Sequence, residues 1–91
     1  MAVRTDTIRR GEYFIAANQE LRKVTRIETG QGRCCVHYQH KNAAIPNRPF
    51  LFAHSPDAAP AIEDFARECE RRLGFLEIRR LRLDGILLAY E

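Results

Sequence analysis

The chain has 91 residues, 45% of them hydrophobic and 30% charged, with a net charge of +3 and a pI near 9.0. That length holds one hydrophobic core, and the composition is that of a folded protein, which excludes a disordered chain and a multidomain enzyme. No apolar run approaches the roughly 20 residues of a membrane span, and the first ten residues lack the apolar stretch of a secretory signal, so a single cytoplasmic domain over residues 1–91 is expected.

Barrel-like strands are expected over about residues 7–53. Gly11 breaks the chain before Tyr13 to Ala17, a β-prone apolar run. Asn18-Gln19 then reads as a turn into Glu20 to Glu28, where Leu21, Val24 and Ile27 recur every third residue. That spacing alone is helical, with Asn18 as N-cap and Gly30 past the end. Val24, Thr25 and Ile27 are β-branched, and one β-bulge near Arg22-Lys23 accounts for the same spacing in a strand, so strand is favoured over helix. Thr29-Gly30-Gln31-Gly32 turns the chain into Arg33 to His40, with Cys34, Val36 and Tyr38 on the core face and Cys35, His37 and Gln39 opposite. Lys41 to Pro49 reads as a loop, and Phe50 to Ala53 as a short buried strand.

Ile62, Phe65, Ala66, Cys69 and Leu73 then form one apolar stripe, with acidic residues and arginines opposite them. Pro60 suits a first turn and Gly74 a C-terminal stop, so the pattern predicts a helix over about 58–73. Ile78 to Leu83 and Ile86 to Tyr90 flank Asp84-Gly85, a pair suited to a type I′ turn, which predicts a hairpin over about 76–90. The rival is a helix running on through Gly74 to Leu83, against which the Gly74 and Asp84-Gly85 signals count. The sum is an α+β fold: a bent, mostly antiparallel sheet or partial barrel of five to six strands with one amphipathic helix.

At Thr7-Ile8-x-x-Gly11-x-Tyr13-Phe14, Leu21-x-x-Val24-x-x-Ile27-Glu28 and Val36-x-Tyr38 the chain resembles SH3-like small β-barrels, and is similar to short bacterial, phage and plasmid proteins that pair such a barrel with a helix. The resemblance covers about the first 53 residues plus the helix. It implies a module that binds a peptide, a protein or a nucleic acid, and fold alone does not choose among them.

Charge is unevenly spread: residues 1–50 hold nine Lys/Arg against four Asp/Glu, and residues 51–91 hold six against eight. Arg22, Lys23, Arg26 and Arg33 come from one predicted hairpin, His37 joins them, and Lys41 and Arg48 follow in the loop. Cations beside an exposed ring suit a nucleic acid, since charge tracks phosphate and a ring stacks on a base. Tyr13 and Phe14 alternate across the first strand, which makes one of them the candidate ring.

Catalysis is disfavoured. Cys34-Cys35-x-His37-x-x-His40 carries zinc-type ligands, but strand alternation sends Cys34 and His40 one way and Cys35 and His37 the other, and adjacent cysteines chelate a tetrahedral metal poorly. A Cys35/His37 nucleophile pair lacks an orienting acid. The acids of the helix alternate with arginines, and no phosphate loop or hydrolase motif occurs. Three cysteines without a spaced framework fit a reducing compartment. No cofactor is expected, nor a membrane. The expected function is non-catalytic recognition of another protein, with nucleic-acid binding through the basic N-terminal hairpin as the alternative.

Overall fold

The computed structural model describes residues 2–91. The fold is α+β: a five-stranded, wholly antiparallel open sheet with two helices. The strands are β1 (Tyr13–Ala16), β2 (Glu20–Gly30), β3 (Arg33–Asn42), β4 (Leu51–Phe52) and β5 (Cys69–Arg72), in the spatial order β4-β3-β2-β1-β5. The helices are α1 (Ile62–Glu68) and α2 (Phe75–Leu83).

Residues 20–30 are a strand throughout, and a bulge accounts for the three-residue interval from Val24 to Ile27. It lies at Thr25, between the pairs Val24↔Tyr38 and Arg26↔His37, not at Arg22-Lys23 as the sequence suggested. The extra residue shifts the phase, so Val24 and Ile27 point to one face. Leu21 points to the other, and both it and Val24 are buried because the sheet is covered on both sides. Gln31 and Gly32 close the β2–β3 hairpin with φ of 51° and 73°, the two left-handed residues a tight right-twisted hairpin needs.

One face carries Ile8, Phe14, Val24 and Val36 beneath Phe65 and Ala66 of α1. The opposite face carries Tyr13 and Leu21 beneath Leu73, Ile86 and Leu87, with Ile78 and Leu81 of α2 packed alongside.

Three sequence expectations need correction. The helix predicted over 58–73 ends at Glu68, and Cys69 turns extended with ψ of 137°. β5 then pairs with β1 through Phe14↔Arg72 and Ile15↔Arg71, covering a backbone edge that the core would otherwise leave open. A bulge at Glu70, between the pairs Ala16↔Cys69 and Ile15↔Arg71, then sets Leu73 on the face opposite Cys69, which a continued helical stripe cannot do.

The hairpin predicted over 76–90 does not form: α2 takes its first arm, and residues 86–90 are neither strand nor helix. Gly74 starts α2, its N–H donating to the Glu77 carboxylate at 3.4 Å. Gly85, at φ of 75°, stops it: the Ile86 N–H donates to Leu81 O at 2.9 Å and the Gly85 N–H to Arg82 O at 3.2 Å, with Leu81 and Ile86 in one apolar cluster. This is a Schellman stop, and an Asp-Gly pair serves it as readily as a hairpin. Finally, the short strand near Phe50 to Ala53 is not buried: Leu51 and Phe52 are 62% and 83% exposed.

Candidate functional site

An open sheet has two edges, and here they differ in chemistry. β5 presents Glu70, Arg71 and Arg72 to solvent, with Arg71 paired to Glu77 and Arg72 at 3.7 Å from Glu12. Charged side chains on an edge discourage a further strand. β4 presents Leu51 and Phe52, one to each face, paired with β3 only through His40↔Leu51 and Gln39↔Phe52. It is short, apolar and uncovered.

Beyond Phe52 the chain stays beside β3 without forming a ladder. The Tyr38 N–H donates to His54 Nε2 at 3.3 Å, and the Val36 N–H to Pro60 O at 2.9 Å. Between this segment and the bulged hairpin lies a cleft of about 570 Å³, lined by Thr25, Arg26, His37, Phe52, His54 and Pro56 among others. The His54 ring sits 5.4 Å from His37 and 5.2 Å from Tyr38. At the cleft wall His37 Nε2 is 2.9 Å from Glu28 Oε1 and 3.2 Å from Arg26 Nη2. The His37 hydrogen bond, reinforced by Arg26, holds the Glu28 carboxyl below its usual range. An aromatic-lined cleft with an accessible guanidinium at its wall suits an apolar or planar group bearing a polar end.

The cations expected to form one basic face are divided. Arg22 is buried, donating to Glu20 and Glu68 at 2.9 Å each and lying 4.5 Å above the Tyr38 ring. Lys41 is buried against Glu91 and the Phe50 ring. Both stand outside any solvent-facing patch because each gained an internal carboxylate from a distant part of the chain. His37 is buried except for its cleft side. Lys23 is half-buried above Tyr13, while Arg26, Arg33 and Arg48 are exposed. Register puts Lys23, Arg26, Arg33 and His37 on one face, away from α1.

Neither candidate ring is available. Tyr13 is buried with its hydroxyl donating to the Glu91 main-chain oxygen, and Phe14 is wholly buried. Because both faces of the sheet are covered here, alternation sent each ring into a core. Sequence reasoning missed the exposed ring that lines the cleft, Phe52, because Phe50-Leu51-Phe52 reads by composition as a core strand. It also missed His54, which stands alone in a loop without a pattern.

The three cysteines are unpaired. Burial pushes the Cys69 thiol up to about 11, which suits packing and not nucleophilic attack. Among the described residues no helix is long and apolar enough to cross a membrane. Comparisons with family models, curated proteins and solved structures find no match to this chain.

Proposed function

We propose that this chain is a non-catalytic recognition module that grips an extended segment of another protein along its β4 edge. The observation that carries the reading is the contrast between the two edges, β5 charged and ion-paired, β4 apolar and exposed beside a cleft. An added strand takes its affinity from backbone hydrogen bonds and its selectivity from side-chain pockets. Covering Leu51 and Phe52 contributes about 1.5–3 kcal/mol apiece before the cost of ordering the partner. The cleft beside Phe52 receives one partner side chain, with Arg26 placed to hold its polar end.

The reading keeps the SH3-like description for the sheet, since a meander from β1 to β4, with β5 beside β1 and a bulge bending β2 at Thr25, is what a small open barrel needs. The unpaired cysteines support a reducing, cytoplasmic setting.

Peptides selected from a random displayed library on the purified protein test this. They should lose binding at least tenfold to Phe52→Asp, while the melting temperature stays unchanged because the ring is exposed. Peptides that bind the variant equally well, or no enrichment at all, contradict it.

A second reading, nucleic-acid binding, is favoured by one observation: Lys23, Arg26, Arg33 and His37 share a face, and Phe52 supplies a ring. A labelled single-stranded oligonucleotide titrated at 50 and 200 mM salt tests it. Three phosphate contacts give a roughly twentyfold loss of affinity between those concentrations. Binding that is absent or insensitive to salt removes this reading.

A further inference from the structure

His54 stands where a strand would otherwise continue. On one side of it β4 pairs with Gln39 and His40, and on the other Pro60 O accepts the Val36 N–H. Between them the Tyr38 N–H has an imidazole nitrogen as its partner. A ring nitrogen that accepts a hydrogen bond carries no proton, so the proton lies on Nδ1, which donates to Ser55 O at 2.9 Å. Both nitrogens are engaged, in one tautomer, and only while the ring is neutral.

A second proton on Nε2 sets two donors against each other at Tyr38. Among the described residues, no carboxylate lines the cleft around the ring to offset the new charge. The groups around the ring are His37 at 5.4 Å, Tyr38 at 5.2 Å, and Arg26 across the cleft. Glu28 is already held by His37 and Arg26, and Asp57 on the adjoining turn is exposed and does not line the cleft. A second imidazolium at His37 would add repulsion.

We propose that His54 is a proton-operated latch on the β3 edge. Neutral, it closes β3 at Tyr38; protonated, it frees that N–H, loosens residues 53–56 and uncovers a stretch of β3 next to the β4 edge. The consequence for binding rests on the strand-addition reading, whereas the latch is a property of the free protein.

Nitrogen-15 NMR of the free protein separates the two. His54 should be in the Nδ1–H tautomer, and the Tyr38 amide protection factor should fall about fivefold or more as His54 takes up its proton, the loss expected for one hydrogen bond. His54→Gln keeps an acceptor that does not titrate, and should abolish the pH step. His54→Ala should leave the Tyr38 amide poorly protected at every pH. An Nε2–H tautomer overturns the latch, as does a pH step that persists in His54→Gln and so belongs to His37. If the step behaves as described and no displayed peptide binds at either pH, the latch stands and strand addition alone is lost.

Discussion

Lys41→Met should lower the stability of the fold by about 3–5 kcal/mol, because it leaves a buried carboxylate without its cation. The Lys41 and Glu91 side chains are 2% and 5% exposed and paired to each other. The Glu91 carboxylate also accepts the N–H groups of Phe50 and Leu88, both at 3.0 Å, so it cannot swing out to water without giving up two backbone partners. Burial alone would raise the Glu91 carboxyl; the hydrogen bonds from Lys41, Leu88 and Phe50 outweigh it and hold the group below the ordinary 4.5. A depressed folded-state value fixes the sign of the pH dependence. The contribution is complete above 4.5 and is lost as pH falls through the lower folded value. Urea denaturation at pH 7 and pH 3 should therefore show an acid-dependent loss in the parent that shrinks in Lys41→Met. A variant as stable as the parent at pH 7 would return Lys41 to the surface, where the sequence had placed it.

Phe14→Ala should cost about 3–5 kcal/mol, a large share of the 5–15 kcal/mol typical of a small domain. Phe14 is wholly buried and meets Phe65 edge-on, with ring centroids 5.5 Å apart and planes at 90°. Phe65 in turn packs against Tyr38 at 5.1 Å, so removing the Phe14 ring opens a cavity between the sheet and α1 that few neighbours can close. Calorimetric or denaturant unfolding measures the loss. Had Phe14 been a stacking platform for a ligand, its truncation would instead spare stability and lower affinity.

The first half of the fold was legible from local signals, although over Glu20 to Glu28 they conflicted, the period reading as helix and the β-branched Val24, Thr25 and Ile27 as strand. Tyr13 to Ala16 is β-prone between breakers, and Gln31-Gly32 accepts the left-handed backbone of a tight turn. A bulge followed from the spacing of Leu21, Val24 and Ile27, but the sequence suggested it between the first two; Leu21 and Val24 are instead buried on opposite faces, so the phase shift falls between Val24 and Ile27. The second half depends on tertiary demands. The stripe from Ile62 to Leu73 fits a helix, but β1 needs an outer partner and Leu73 belongs to the opposite face, so the chain unwinds at Cys69. Asp84-Gly85 supports two local structures, and the packing of Leu81 with Ile86 selects the helix stop.

For the candidate site, residue type identified cations without revealing which would find acids. Arg22 meets Glu68 and Lys41 meets Glu91 across long separations in sequence, and that long-range pairing leaves only part of the basic set at the surface. The apolar edge went unrecognised for the converse reason: Leu51 and Phe52 are core-type residues left uncovered by a sheet that ends beside them. Nothing in a three-residue apolar run tells an inner strand from an edge.

The most direct test of recognition at β4 is amide-resolved NMR mapping of a displayed-library peptide on the protein. Resonances should shift and exchange protection should rise at Leu51 and Phe52, with changes at His54 and around the cleft. Perturbation confined to β5 or to the outer face of α2, with β4 unchanged, contradicts it.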